Sequence, residues 1–159
     1  MGILEPNQEV NYLAMLNAAP ILLNLDQAQP LQVVAAMLDE MVSEGRLPAE
    51  LREAAAAAIH ERETTGGSTA LANGIAVPHG YLAELTEPVV AFGVHRAGID
   101  CGAIDGLPSR IFVMILGPRG VRAHLRFLAA VNRRLMNEAI REGILVAKTR
   151  EEVVRLLAS

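Results

Sequence analysis

Ser68-Thr69-Ala70-Leu71-Ala72-Asn73-Gly74-Ile75-Ala76-Val77-Pro78-His79-Gly80 is the stretch from which the fold can be read. A polar, glycine-containing loop runs into a small apolar strand over 74–77, and that strand ends in Pro-His-Gly. Proline fixes its own φ and biases Val77 toward extended backbone. Gly80 lacks a Cβ, which permits a sharp exit and leaves space beside the imidazole. The pattern predicts a histidine held at a strand end with open room on one side. Such a histidine can serve as nucleophile, base or metal ligand. An isolated histidine is more often an ordinary turn residue, and the flanking proline and glycine do not by themselves decide between the two.

Outward from this stretch, the chain alternates helical and strand patterns. Ile21 to Leu25 is a short apolar run that suits a buried strand. Pro30 sits well as a first helical residue; Leu31, Val34, Leu38 and Val42 follow at helical spacing, and Gly45 ends the segment. Pro48 opens a second helix to about Arg62, with Leu51, Ala55 and Ile59 on one side. The continuous apolar runs Pro88 to Val94 and Ile111 to Leu116 do not alternate, so both read as strands covered on two faces. Asp105-Gly106 between them is a turn signal. Val121 to Met136 is helical, with Leu125, Leu128, Val131 and Leu135 recurring, and Thr149 to Glu152 has the spacing of a capping box. No repeat, linker or composition break divides residues 1–159. The expectation is one layered α/β domain, with a mixed central sheet flanked by helices on both faces.

Composition narrows the function. The 159 residues are 52% hydrophobic, enough to form a core, yet no run approaches the roughly 18–20 apolar residues of a membrane span. A net charge of −4 speaks against a nucleic-acid partner, whose phosphates must be neutralised. Aromatic residues make up only 3%, so a surface that stacks bases or sugar rings has little to draw on. Cys101 is the only cysteine and there is no signal-peptide pattern at the start, both of which point to the cytoplasm.

Gly74-Ile75-Ala76-Val77-Pro78-His79-Gly80 resembles the phosphorylation motif of enzyme IIA (EIIA) domains of the bacterial phosphotransferase system, in the fructose, mannitol and nitrogen-regulatory class. The resemblance runs on through Gly98 to Gly106, the strand Ile111 to Leu116, the His124-Leu125 pair and the closing helix, and so covers nearly the whole chain. It implies the fold shared by that class and by anion-transporter cytoplasmic domains. It also implies a phosphotransferase that carries phosphate on histidine. His79 would be the phosphorylated residue, His124 the second active-site histidine, and Arg62 an arginine of the same pocket. Ser68 and Thr69 would line it. No cofactor is implied, because the donor is itself a phosphohistidine on an HPr-type carrier. The acceptor would be an EIIB domain or a regulatory protein target. The chain departs from the class in three places: a doubled glycine lengthens the interval from Arg62 to Ser68 by one residue, Ala70 and Ala72 replace frequent glycines, and the stretch before His124 is basic.

These roles agree with elementary chemistry. A neutral imidazole nitrogen attacks phosphorus well near neutral pH. The transferred group carries dispersed negative charge and needs fixed donors or cations, which a guanidinium or a helix start can supply. The plainer readings make His124 a packing histidine and Arg62 a helix-end cation. The arginines at 119, 122, 126, 133 and 134 would be a solvated helix face, and Cys101 an inert thiol. His60 reads as a surface residue and His95 as a strand-end residue, neither with a role. A regulatory module is favoured by the absence of a fused EIIB or membrane segment. A degenerate relative that only contacts an anion transporter, without phosphorylation, and a metal hydrolase using His79, His95 and His124 rank below it.

Overall fold

The computed structural model describes the backbone of residues 6–119 and 123–159 and the side chains of residues 11–119 and 125–159. Its helices are α1 (Pro6–Ala18), α2 (Pro30–Ser43), α3 (Arg52–Thr65), α4 (Ala123–Leu135), α5 (Glu138–Val146) and α6 (Arg150–Ala158). Its strands are β1 (Ile21–Leu22), β2 (Ile75–Ala76), β3 (His79–Tyr81), β4 (Val89–Ile99) and β5 (Ser109–Gly117). β4 and β5 form an antiparallel hairpin; β1 joins β4 in parallel, and β2 and β3 join β5 in parallel. The sheet is therefore mixed and open.

β5 shows why helices cover both faces. Ile111, Val113 and Ile115 belong to one buried cluster, and Phe112, Met114 and Leu116 to the other. Burying a side chain of this size is worth roughly 1.5–3 kcal/mol, so neither face can be left in water. The first face is covered by α1, α4, α5 and α6, through residues such as Leu16, Phe127, Ile144 and Leu157. The second is covered by α2 and α3, through Met37, Leu38, Ala55 and Ile59.

Several expectations shift in detail. The Ile21–Leu25 run pairs as a strand only at Ile21 and Leu22. β4 runs five residues beyond Val94 to Ile99, and its register with β5 shifts between those two residues, so His95 sits inside an irregular strand rather than at its end. α1 and α5 are helices that the sequence pattern did not announce. On α4 the core-facing residues are Phe127, Ala130, Val131 and Leu135, while Leu125 is exposed. Arg134, read as part of a solvated face, is buried: its Nη1 donates to the Ala130 carbonyl at 3.0 Å and its guanidinium lies 4.3 Å from the Tyr12 ring centroid. One half of the capping box at Thr149 forms, its hydroxyl accepting from the Glu152 N–H, while the Glu152 carboxylate reaches back one residue further to accept from the Lys148 N–H.

Candidate functional site

The stretch from Ser68 to Gly80 folds as a small hairpin, not a loose loop. Asn73 and Gly74 both have positive φ, 66° and 76°, the left-handed pair that closes a tight hairpin turn. Ala70 then bridges Ala76, the Leu71 N–H reaches the Ile75 carbonyl at 2.7 Å, and the Val77 N–H reaches the Thr69 carbonyl at 3.1 Å. Asp105 braces the turn from the β4–β5 connection, accepting from the Asn73 N–H at 2.9 Å and the Leu107 N–H at 3.1 Å. These two backbone donors, Asn73 first, hold its carboxyl below the usual carboxylate range.

β2 and β3 are one edge in a single register against β5: Ile75 lies beside Ile111, Ala76 beside Phe112 and His79 beside Ile115. The edge is interrupted at Val77 and Pro78, where proline has no N–H to give. His79 therefore opens the second segment of an edge instead of closing a strand. Gly80 is not a sharp exit. A Cβ there would stand 2.9 Å from Ala58 Cβ and 3.0 Å from the Ile59 nitrogen, so glycine is what lets α3 lie directly on β3. Side chains alternate along a strand. With Gly80 facing α3, His79 projects to the opposite face, the one that α4 helps to cover.

The imidazole is half-buried, and its Nδ1 lies 2.9 Å from the Val77 carbonyl oxygen. A carbonyl only accepts, so Nδ1 carries the proton and the Nε2 lone pair is left for chemistry. His124 is the second residue of α4, and its side chain lies outside the described residues. Only residues 118–122 separate α4 from Gly117, which pairs with Tyr81, so the chain brings the start of α4 to the neighbourhood of β3. Arg119, in this connection, lies over the Tyr81 ring at 4.5 Å.

The other predicted residues form a separate group at the end of α3. Arg62 shares a helical face with Ala58, but its Nη1 donates to the Gly67 carbonyl at 3.0 Å, and its guanidinium fills the space that a Cβ on Gly66 would take. The doubled glycine thus holds Arg62 back against its own loop. The Ser68 hydroxyl donates to the Cys101 carbonyl at 2.6 Å and accepts from the Ala70 N–H. The Thr69 N–H donates to both carboxylate oxygens of Glu63, at 3.3 and 3.2 Å, and its hydroxyl donates to Oε1. No hydrogen bond joins His79 to Arg62, Ser68 or Thr69, all of which are described. Glu63, which sequence reasoning passed over, is the residue that organises this loop; its neighbour Arg62 was the more conspicuous signal.

Beside Ser68 and Thr69 is a cavity of about 260 Å³, walled by Val34, Ile59 and Phe112 and rimmed by Glu63 and Asp100. It lies on the α2–α3 side of the sheet. Cys101 also lines it; burial pushes that thiol up, and the Glu63 and Asp100 carboxylates add to the push. A raised thiol is a poor nucleophile near neutral pH, in keeping with an inert cysteine. His95 is also spent: Nε2 donates to the Gln27 carbonyl at 2.8 Å and Nδ1 accepts from the Gly98 N–H at 2.9 Å. Neither nitrogen remains for a metal, which removes the hydrolase reading.

The structure thus presents an open mixed sheet between two helical layers, with a tautomer-fixed histidine on its edge. The sequence profile for the phosphoenolpyruvate-dependent sugar phosphotransferase system, EIIA 2, matches residues 14–159, and the chain belongs to that family. It is similar to the fructose-specific EIIA component of the Haloferax volcanii phosphotransferase system, 38% identical over 77% of this chain and 78% of that protein. It is also similar to the fructose-specific EIIABC component of Bacillus subtilis, 31% identical over 90% of this chain but only 22% of that longer protein. The crystal structure of nitrogen regulatory protein IIA-Ntr from Neisseria meningitidis superposes with a TM-score of 0.77 at 26% identity, covering 91% of this chain and 99% of that one. The chain is thus a phosphotransferase component that carries a phosphoryl group to an EIIB domain or uses it as a regulatory signal. No helix among the described residues is long and apolar enough to cross a membrane.

Proposed function

We infer that the carrier atom is Nε2 of His79, and that residues 1–159 act as one domain in the cytoplasm. The observation that carries this reading is the contact between Nδ1 and the Val77 carbonyl. The Nε2 lone pair attacks the phosphorus of a phosphohistidine on an HPr-type carrier. The donor's P–N bond breaks, and the electron pair returns to the donor imidazole. The His79 ring becomes cationic as the new bond forms, and the Nδ1–H bond to Val77 becomes charge-assisted. Transfer onward reverses these steps toward a cysteine or histidine of an EIIB domain. Similarity to the Haloferax protein supports a fructose-type sugar, and similarity to the Neisseria structure supports the regulatory branch. His124 stands as the candidate stabiliser of the transferring group. Arg62, Ser68 and Thr69 join it only if the contacts that now engage them open.

Incubation with enzyme I, an HPr-type carrier and phosphoenolpyruvate should give one acid-labile, base-stable label, absent in His79→Ala. Phosphorus NMR should place the phosphate on Nε2. Label persisting in the variant, or a phosphate on Nδ1, would overturn the assignment.

A further inference from the structure

We propose that the surface beside His79 is a docking face for a protein partner whose own contact surface is acidic. The proposal deepens the reading of His79 as the carrier and rests on it. Residues 117–137 contain five arginines and no aspartate or glutamate, in a chain whose total charge is −4; the remaining residues therefore carry nine net negative charges. Of the five arginines, Arg119 and Arg126 are exposed on either side of the start of α4, while Arg133 and the buried Arg134 stand in its last turn. Tyr81 lies two residues beyond His79 on the same side of β3, and Arg119 covers its ring. Tyr81 and Leu125 are exposed, at 38% and 58%, and Arg126 is exposed next to Leu125. An exposed tyrosine under an arginine and an exposed leucine next to another combine apolar surface with positive charge, the make-up of a protein-binding patch. A basic rim repels a basic partner and steers an acidic one, raising encounter rates by tenfold or more at low salt. The same charge has a second consequence. Phosphorylation adds about −1.5 to −2 charges at the centre of the patch, so a partner that has delivered its phosphate faces a less attractive surface and leaves.

The test is the sign of the salt dependence of phosphoryl transfer to His79 from the HPr-type carrier of the same organism. Raising ionic strength from about 0.01 M to about 0.15 M shortens the Debye length from about 30 Å to about 8 Å. Transfer to the natural protein should slow over that range. Arg119→Glu/Arg126→Glu should transfer about tenfold more slowly at the lower salt, and its rate should rise with salt. Phosphoramidate, a small donor that needs no docking face, should label both proteins equally at His79. A natural-protein rate that rises with salt, or a double reversal that leaves carrier transfer unchanged, overturns the proposal while labelling by phosphoramidate leaves the carrier reading standing. Failure of phosphoramidate to label His79 in the natural protein sinks the carrier reading, and the docking face with it. Exchanging acidic residues on the carrier for lysine should restore transfer to the double variant, which separates lost attraction from a damaged fold.

Discussion

Two loops approach the edge that carries His79, and they differ in what they have left to offer. In residues 66–69 the donors are engaged: Arg62 holds Gly67, Ser68 holds Cys101, and Thr69 gives both its N–H and its hydroxyl to Glu63. In the connection after β5, Arg119 rests on an aromatic face and is exposed, and α4 begins a few residues further on. The first loop looks by sequence like an anion pocket and is folded as a closed structural clasp. The second has an unremarkable sequence pattern apart from its charge, yet its Arg119 lies over Tyr81, on the side to which His79 projects. A motif gives residue types at a place; whether their donors are available depends on which neighbour reaches them first.

The largest test of this contrast is His124→Ala. If the transferring phosphate is stabilised from the α4 side, the variant should fold normally and transfer about 10²–10³-fold more slowly, the loss expected when one charge-stabilising group is removed. Thr69→Val should leave the transfer rate within a few-fold and act on stability instead, because it removes one of the donors to the half-buried Glu63 carboxylate at a cost of about 1 kcal/mol. A rate loss for Thr69→Val as large as that for His124→Ala, with both variants folded, would break the comparison and restore the clasp as the anion pocket.

A middle-sized effect belongs to Gly80→Ala. The new methyl meets Ala58 and the backbone of Ile59 at about 3 Å, where a helix has to move as a unit. Overpacking of this kind costs typically 1–3 kcal/mol. Denaturant unfolding should register that loss, and the label on His79 should still form, since Gly80 faces away from the imidazole. Unchanged stability would mean that α3 does not sit on β3 as closely as described.

What the sequence made legible follows the same division. The apolar runs at 88–94 and 111–116 could be read as doubly covered strands because Phe92, Val113 and Met114 leave no polar face for water. Pro78 and Gly80 marked His79, although for reasons only partly foreseen: Gly80 makes room for a helix from a distant part of the chain, and no local rule contains that helix. α1 was missed because its partner is the other end of the chain, where the Tyr12 hydroxyl reaches the Leu157 carbonyl at 2.6 Å. The hairpin over 70–76 was legible in principle, because Asn73-Gly74 is a strong turn pair, but the alanines around it lack strand character. Arg62 was placed near the phosphate by resemblance; the extra glycine gave its guanidinium a nearer carbonyl.

The smallest expected effect concerns the brace on the clasp. Asp105 holds the Asn73 N–H, and Asn73 closes the hairpin that sets Thr69 beside Val77, whose carbonyl in turn fixes the His79 tautomer. The backbone donors from Asn73 and Leu107 lower the Asp105 pKa in the folded protein. A carboxylate lowered by folding adds stability above its unfolded pKa, about 3.9, and that stability disappears as pH falls through the folded value. Asp105→Asn should therefore be slightly less stable than the natural protein near neutral pH, and the gap should close as the pH falls below the ordinary carboxylate range. Asp105 is exposed, so water screens the effect and it should be the least of the four. Amide exchange at Leu71 and Val77 reads it locally: both N–H groups should exchange faster in the variant near neutral pH, and in the natural protein they should lose protection in acid ahead of the β4–β5 core. A stability gap that does not vary with pH would show that the Asp105 charge contributes nothing to the hairpin, and the clasp would then stand on Glu63 and the Asn73-Gly74 turn alone.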